Sequence, residues 1–240
     1  MIFKEEFKVQ LKDIGKNNFI KNRAILEIFE NIATHHSDSI GYGPNDNSKT
    51  GVSWVLLDWK LEVIKRPIYG DTLKVHTWGR VMKKAYTYRD FEVYDENNNL
   101  CIIGTSKWVL VSVETGKLVR INEDILRKYQ FEDKSVFEEY ELSKLQAPNL
   151  YERVFKYNVC RRDIDLNGHM HNLYYLDLAY EALPDEIYEK RPYNSVRIQY
   201  KKEVKLNDLI ECRYHFEDGK HIVNICSENG ETVNAIIVLE

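Results

Sequence analysis

Two stretches of the sequence, 150 positions apart, share one pattern, and this repeat decides the fold. Residues 7–26 read FKVQLKDIGKNNFIKNRAIL, and residues 157–176 read YNVCRRDIDLNGHMHNLYYL. The ungapped alignment pairs identical residues: Val9 with Val159, Asp13 with Asp163, Ile14 with Ile164, Asn17 with Asn167, Asn22 with Asn172 and Leu26 with Leu176. In both copies the apolar residues near the end recur at helical spacing. Each copy therefore predicts a strand, a polar loop and a helix with one buried face.

Both predicted helices are followed by segments typical of strands. These segments are rich in β-branched and aromatic residues and are separated by turn signals such as Tyr69-Gly-Asp and Glu217-Asp-Gly. The predicted strands are 54–63, 72–81, 86–94 and 100–113 in the first copy, and 195–200, 209–216, 221–228 and 232–239 in the second. The sequence thus predicts an α+β fold in which one helix and an antiparallel sheet occur twice.

The repeat also sets the expected domain boundaries. We predict an N-terminal repeat at 1–121, a linker at 122–149 and a C-terminal repeat at 150–240. The linker segment is rich in charge and ends at Gln146-Ala-Pro-Asn. Because one unit alone would leave a sheet edge and a sheet face exposed, we expect the two repeats to pack as a pseudo-symmetric pair.

Composition excludes several classes of protein. The 240 residues are 43% hydrophobic and 30% charged, which is typical of a globular chain. A net charge of −4 without a basic tail argues against nucleic-acid binding, and no apolar run approaches the roughly 20 residues of a membrane span. The four cysteines are far apart and form no C-x-x-C pair, which predicts reduced thiols and no zinc framework. The first residues contain no apolar signal core, so we expect a cytoplasmic protein.

The two copies differ most in the loop before the helix, where Asp165 replaces Gly15 and His169 replaces Phe19. Asp165, Asn167 and His169 occupy alternate positions, which can put all three side chains on one side of the chain. Backbone N–H groups near Gly168–His169, at the start of the predicted helix, would bind an oxyanion. The alternative is that Asp165 or Asn167 only caps the helix and His169 is an exposed loop histidine.

The loop and a second segment resemble a known family. Asp165-Leu-Asn-Gly-His-Met-His-Asn-Leu-Tyr-Tyr resembles the D-x-N-x-H-x-N-N-x-x-Y signature of the acyl-ACP thioesterases, which release fatty acids from acyl carrier protein. Gln199-Tyr-Lys-Lys-Glu-Val resembles the family's Y-[RK]-[RK]-E-C/V segment, and residues 108–121 are similar to the strand and turn that close its first half. The resemblance covers nearly the whole chain. It implies a double hot-dog fold, two tandem repeats that each wrap an antiparallel sheet around a central helix.

Two positions depart from the family pattern. His171 stands where the family commonly has Asn, and Val204 follows Glu203 where plant members often have Cys. The second departure excludes a nucleophilic cysteine at that position, so catalysis through sulfur is not expected.

The resemblance implies hydrolysis of a thioester by the set Asp165, Asn167, His169 and Glu203. Glu203 aligns with Arg66 of the first copy, another chemical divergence between the repeats. We expect Glu203 to act as general base on water, His169 and Asn167 to position the water or the carbonyl, and Asp165 to orient one of them. Direct attack by Glu203, giving a mixed anhydride, stays open. The alternative that Glu203 is an ordinary strand carboxylate paired with a neighbouring lysine also stays open.

Neither a cofactor nor a metal is implied, although His169, His171 and Asp165 together invite a metal-site interpretation. The implied partner is acyl carrier protein carrying a fatty acyl-phosphopantetheine, and the first repeat is expected to supply much of the acyl pocket. The basic side chains that could dock this acidic carrier are Lys156, Arg161, Arg162, Lys201 and Lys202, with Lys83 and Lys84 in the first half. The alternative functions are an acyl-CoA thioesterase and a non-catalytic hot-dog sensor of acyl thioesters. A monomer and a homodimer are both compatible with the repeat.

Overall fold

The computed structural model of the chain describes residues 1–80 and 86–240. These residues form two compact units, Met1–Leu142 and Ser143–Glu240. The division falls inside the predicted linker 122–149, and the larger part of that segment belongs to the first unit. Within the described ranges, no helix is long and apolar enough to cross a membrane.

The first unit contains a five-stranded antiparallel sheet and one long helix. Its strands are β1 (Phe3–Lys8), β2 (Val52–Val63), β3 (Thr72–Gly79), β4 (Tyr86–Tyr94) and β5 (Leu100–Ser112), in the order β1-β3-β4-β5-β2. Its helices are α1 (Asn22–Ser39), α2 (Asn47–Thr50) and α3 (Glu123–Tyr129), with 3-10 turns at Leu11–Asp13 and Pro44–Asp46. The predicted helix and strands are confirmed. Val81, the predicted end of β3, lies outside the described residues.

Helix α1 packs against this sheet through its apolar face. Phe29 is fully buried, and its ring stacks on Phe91 of β4 at 4.3 Å between centroids. Gly104 of β5 makes room for that ring, since a Cβ at this position would lie 2.4 Å from Phe29. Each such buried side chain contributes about 1.5–3 kcal/mol of transfer free energy. The helix is thereby fixed on the inner face of the sheet.

Residues 131–142, predicted as part of the linker, form a strap on the first unit. The Glu132 N–H donates to the Gly79 carbonyl at 2.9 Å, and the Val136 N–H donates to Oδ2 of Asp90 at 3.0 Å. Asp90 is buried and lies 3.3 Å from Nε of the buried Arg80. Breaking such an ion pair would leave a buried charge uncompensated. The strap is therefore a structural part of the unit.

The second unit repeats the same plan in fewer residues. Its strands are β6 (Arg153–Asn158), β7 (Ser195–Tyr200), β8 (Leu209–Glu217), β9 (Lys220–Ser227) and β10 (Val233–Leu239), in the order β7-β10-β9-β8-β6. Its helices are α4 (Asn172–Glu181) and α5 (Asp185–Tyr188), after a 3-10 turn at Arg161–Asp163. Helix α4 buries Leu173, Leu176 and Ala179 and contacts β8, β9 and β10. Each unit is thus a helix against an antiparallel sheet, which confirms the predicted hot-dog fold.

Candidate active site

The same backbone hydrogen bonds build the loop before the helix in both units. The N–H groups of Gly15 and Asp165 donate to the carbonyls of Phe19 and His169 at 2.8 Å each, and those of Ile20 and Met170 donate to the carbonyls of Pro67 and Val204 at 2.9 and 2.8 Å. Pro67 directly follows Arg66, and Val204 directly follows Glu203. The two side chains therefore occupy equivalent places, as the sequence alignment predicts.

Asp165 builds the turn that carries the other two loop residues. Its Oδ1 accepts the N–H of Asn167 at 2.8 Å and the N–H of His169 at 3.2 Å. The turn closes through Gly168, whose N–H donates to the Asp165 carbonyl at 3.1 Å and whose φ is +78°. Positive φ is available to Gly without a steric penalty. Asp165 thus fixes the backbone of the turn on which Asn167 and His169 stand.

The N–H groups of Gly168 and His169 do not form the predicted oxyanion site. Both already donate to Asp165, one to its carbonyl and one to its carboxylate. Helix α4 begins only at Asn172, so these groups belong to the turn and not to a helix N-terminus. The prediction was wrong because a turn built by Asp165 takes up both N–H groups before α4 begins.

His169 and Glu203 face each other across the junction between the loop and the end of β7. Nε2 of His169 lies 3.8 Å from Oε1 of Glu203, and the two side chains are 34% and 57% exposed. The separation exceeds that of a direct hydrogen bond, which ends near 3.2 Å for N–H···O. The pair is open to solvent, so water and a substrate can reach both polar atoms. The structure brings together all four residues that the sequence singled out, three in one turn and the fourth facing it.

Two tyrosines to which the sequence analysis assigned no role lie beside the Glu203 segment, residues 201–204. Tyr175 of α4 is buried and lies close to Glu203 and Val204. Burial raises the pKa of Tyr175, and the nearby carboxylates of Glu203 and Asp165 add to that shift. The Tyr200 hydroxyl donates to the Asn172 carbonyl at 2.9 Å, and its ring meets Tyr175 edge to face at 5.3 Å. Tyr175 lies in the first motif segment and Tyr200 in the second, so the motif matches could have singled out both residues.

His171 is the N-cap of α4. Its Nδ1 accepts the Leu173 N–H at 3.3 Å, a role that Asn also fills well. The replacement of the family's Asn by His therefore keeps the cap. In the part of the chain that the structure describes, no group of three His, Cys, Asp or Glu side chains is arranged to hold a metal ion.

The first unit carries different chemistry at the equivalent place. Nη1 of Arg66 donates to the Ile20 carbonyl at 2.9 Å and to Oδ1 of the buried Asn22 at 2.8 Å. Phe19 takes the position of the histidine and is 39% exposed. A guanidinium does not lose its proton in proteins, so no acid–base pair exists at this place.

The first unit contains a cavity of about 120 Å³ beside the end of α1. Aromatic side chains form much of its wall. The lining residues are Ala33, Thr34, Ser37, Tyr42, Gly43, Pro44, Asn47, Ser53, Trp54, Gly79, Thr87, Tyr88, Arg89, Trp108, Tyr129 and Phe131. A mostly apolar cavity with a few polar groups is the usual form of a small-molecule site.

Two of the cations predicted to dock the carrier are in ion pairs. Lys156 lies 3.3 Å from Glu211 and 3.6 Å from Glu228, and Arg162 lies 3.6 Å from Asp163. Arg161 and Lys202 are exposed. The remaining candidate of the second unit, Lys201, directs its Nζ to the Leu145 carbonyl at 3.5 Å. Lys83 and Lys84 lie outside the described residues.

The fold and the site together define a class of protein. A helix against an antiparallel sheet occurs twice, and within the described ranges the Asp-Asn-His turn with its facing glutamate occurs in the second copy only. This is a double hot-dog protein with one candidate acid–base site.

The chain belongs to the acyl-ACP thioesterase family. The family's N-terminal domain model matches residues 1–129, and its C-terminal domain model matches residues 148–238. Among curated proteins, the chain is 24% identical over 226 residues to oleoyl-acyl carrier protein thioesterase 1, chloroplastic, of Arabidopsis thaliana. This match spans 87% of the chain and 62% of that plant relative.

Solved structures share the fold over the whole chain. The 12:0-ACP thioesterase from Umbellularia californica matches with a TM-score of 0.88 at 23% identity, covering 100% of this chain and 96% of that one. An acyl-ACP thioesterase from Bacteroides thetaiotaomicron matches with a TM-score of 0.87 at 19% identity, covering 99% and 96%.

Proposed function

We propose that the chain hydrolyses the thioester of fatty acyl-acyl carrier protein and releases the free fatty acid and the carrier thiol. The observation that carries the proposal is the His169–Glu203 pair, with 3.8 Å between Nε2 and Oε1, in a chain of the acyl-ACP thioesterase family. An imidazole and a carboxylate that share an accessible site can activate water as a general base.

In the proposed reaction, Glu203 takes a proton from a water molecule as the water oxygen attacks the thioester carbonyl carbon. The new C–O bond forms and the carbonyl electrons move to oxygen. Collapse of this tetrahedral intermediate breaks the C–S bond, and the proton held by Glu203 goes to the departing thiolate. The balance is one water consumed, with one carboxylic acid and one thiol produced.

Side-chain donors of the loop would stabilise the intermediate. The Asn167 Nδ2 carries two N–H groups, and its contact to Oδ2 of Asp165 is long, at 3.4 Å. Asn167 is exposed at the tip of the turn, so an N–H of this amide can meet a carbonyl oxygen. His169 would hold the attacking water between its Nε2 and Glu203. A single oxyanion donor is worth about 100- to 1000-fold in kcat in a well-studied hydrolase.

Attack by Glu203 itself is the competing route. It would form a Glu203 acyl anhydride, which water then hydrolyses. Mass spectrometry of quenched single turnovers distinguishes the two routes, because only the anhydride adds the mass of the acyl group to the protein.

The acyl chain would occupy the cavity of the first unit. Trp54, Trp108 and Phe131 give it apolar walls, and Ala33 of α1 leaves room for the ligand. One methylene more or less in such a pocket is worth about 1–3 kcal/mol. The size of this cavity would therefore set the preferred chain length.

The carrier would approach the second unit near exposed cations. Lys202 directly precedes Glu203, and Lys205 pairs with His169 in an isolated β-bridge. Cations at these places would attract an acidic carrier and speed its encounter with the site. Coenzyme A offers the same pantetheine arm without the acidic protein surface. Contacts to the carrier would therefore make the enzyme prefer acyl-ACP over acyl-CoA.

The test is free-thiol release from acyl-ACP and acyl-CoA substrates with chains from C4 to C18. Glu203→Gln should lower kcat by about 100- to 10,000-fold, the range for a positioned general base. Asn167→Ala is compared with Asn17→Ala, its counterpart in the first copy, which should keep wild-type turnover.

Faster release from acyl-ACP, lost in Glu203→Gln, supports the proposal. Preference for acyl-CoA would identify an acyl-CoA thioesterase instead. Binding of acyl thioesters without any release would contradict hydrolysis and leave a sensor. The predicted cytoplasmic location and the oligomeric state are tested by cell fractionation and by light scattering.

A further inference from the structure

We infer that Asn234 is a positioning residue that fixes the Glu203 carboxylate relative to His169. This inference rests on the proposed function. Asn234 lies in β10, remote in sequence from both motif segments, and is 5% exposed.

A β-bulge directs Asn234 toward the Glu203 segment. In the pairing of β10 with β9, Val233 faces Cys226 and Ala235 faces Ile225, so Asn234 is the extra residue between two consecutive partners. A bulge of this kind locally re-aims a side chain, and bulges are enriched next to active sites. Asn234 is therefore released from the regular alternation of the strand.

Asn234 binds three consecutive residues that end at Glu203. Its carbonyl accepts the N–H of Lys201 at 2.8 Å and the N–H of Lys202 at 3.2 Å. Its side-chain Nδ2 donates to the carbonyls of Lys202 at 3.3 Å and Glu203 at 3.4 Å. One residue thus holds the stretch between the end of β7 and the candidate base by both backbone and side chain.

Val204, which follows Glu203, is held by the loop that carries His169. The Val204 carbonyl accepts the Met170 N–H at 2.8 Å. Met170 follows His169 directly and Val204 follows Glu203, so this bond ties the His169 loop to the Glu203 segment. Glu203 therefore lies between two fixed peptides although its own side chain is 57% exposed. Its reach toward His169 depends on these backbone contacts.

The second side-chain atom of Asn234 argues against a purely structural role. Among the residues the structure describes, no protein donor reaches its buried Oδ1. A buried amide whose acceptor lacks a partner costs about 1–3 kcal/mol, whereas an apolar side chain of similar shape avoids this cost. The amide at this place is better explained by the two bonds it donates to the Glu203 segment.

Asn224 provides a matched control in the neighbouring strand β9. It is 3% exposed, and its Nδ2 donates to Tyr151 at 3.0 Å. Its buried Oδ1 has no partner within residues 1–80 and 86–240. It therefore shares residue type, burial and unit with Asn234 but holds no part of the Glu203 segment.

The experiment compares Asn234→Leu and Asn224→Leu by steady-state kinetics with acyl-ACP and by thermal unfolding. For Asn234→Leu we expect kcat to fall about 10- to 100-fold with KM within twofold, because a misplacement of about 1 Å in a catalytic group has this effect. Asn224→Leu should change the melting temperature by a similar amount and leave kcat unchanged. Asn234→Ser, which retains a short donor, should recover part of the lost kcat and keeps the test available if the leucine variant does not fold.

A double variant tests whether Asn234 acts through Glu203. In a Glu203→Gln background, Asn234→Leu should lower the residual rate by less than twofold, because effects on one catalytic unit are not additive. Equal losses of kcat in the Asn234 and Asn224 variants, or a full additional loss in the Glu203→Gln background, would overturn the inference. An inactive wild-type protein would instead overturn the proposed function, so the two failures are distinguishable.

Discussion

Protonation of His36 should destabilise the first unit, and replacing this histidine should remove that part of its acid sensitivity. His36 is fully buried in α1, and its Nδ1 lies 3.0 Å from Nη1 of Arg89. Because a guanidinium only donates, Nδ1 is the acceptor and the neutral ring carries its proton on Nε2. Burial, followed by repulsion from Arg89, lowers the pKa of His36 from 6.5 to about 3.

The lowered pKa fixes the sign and the size of the effect. Below pH 6.5 the unfolded chain binds a proton at His36, whereas the folded chain binds it only near pH 3. The unfolded state therefore takes up more protons in this window, so the full stability is present above pH 6.5 and is lost as the pH falls toward 3. The free energy of unfolding should decrease by about 2 kcal/mol between pH 8 and pH 5 from this residue alone.

The assay is urea unfolding of wild type and His36→Gln, which keeps an acceptor for Arg89 and does not titrate. All four tryptophans lie in the first unit: Trp54, Trp59, Trp78 and Trp108. Their fluorescence therefore reports the unfolding of that unit. The stability difference between wild type and variant should change by about 2 kcal/mol from pH 8 to pH 5. A difference that is the same at both pH values would refute the reasoning.

His35 is the control, since its half-exposed ring lies on the same helix, 2.8 Å from the Glu5 carboxylate. His35→Gln should not remove the loss of stability between pH 8 and pH 5.

Other residues give independent predictions. Gly104→Ala should lower the urea midpoint of the first unit by the equivalent of about 1–3 kcal/mol, because the new Cβ would lie 2.4 Å from Phe29. Tyr175→Phe keeps the ring but removes the buried hydroxyl beside Glu203 and Val204, so kcat should fall several-fold with little change in KM. His171→Ala should cost about 1 kcal/mol in thermal unfolding through loss of the N-cap, whereas His171→Asn should not. Ala33→Leu fills the cavity and should shift the preferred acyl chain to shorter lengths in the substrate panel.

The repeated pattern predicted a helix with an antiparallel sheet in each unit, and the resemblance to the family supplied the double hot-dog fold and the role of Glu203. Strand and helix periodicity is a local property, so each element of the repeat could be found from its own residues. The alignment of Glu203 with Arg66 was also correct, because both follow from the same loop-to-strand hydrogen bonds. Divergence between the copies singled out Asp165 and His169, whereas Glu203 was singled out mainly by its match to the family segment.

Features that depend on long-range contacts were not predictable in this way. Residues 131–142 have no periodic apolar pattern, and the bond from Val136 to Asp90 depends on a strand far earlier in the chain. The proposed role of Asn234 could not be predicted from sequence for the same reason, since it arises from a bulge that only strand pairing creates. The oxyanion prediction failed because the exact start of a helix is poorly encoded in sequence.

The change of Gly15 to Asp165 alters the role of a residue that both copies share. In the first unit, Oδ1 of Asn17 accepts the Phe19 N–H at 3.3 Å, so this asparagine stabilises the turn. In the second unit the equivalent N–H, that of His169, donates to Asp165 instead, at 3.2 Å. The aspartate thus takes over the structural bond, and Nδ2 of Asn167 makes a long contact of 3.4 Å to Oδ2 of Asp165. Asparagine is identical in the two copies, so its chemistry at this place depends on the residue two positions before it. One substitution in a duplicated turn thus moves the structural bond from asparagine to aspartate, and the proposed function gives the released asparagine its role as an oxyanion donor.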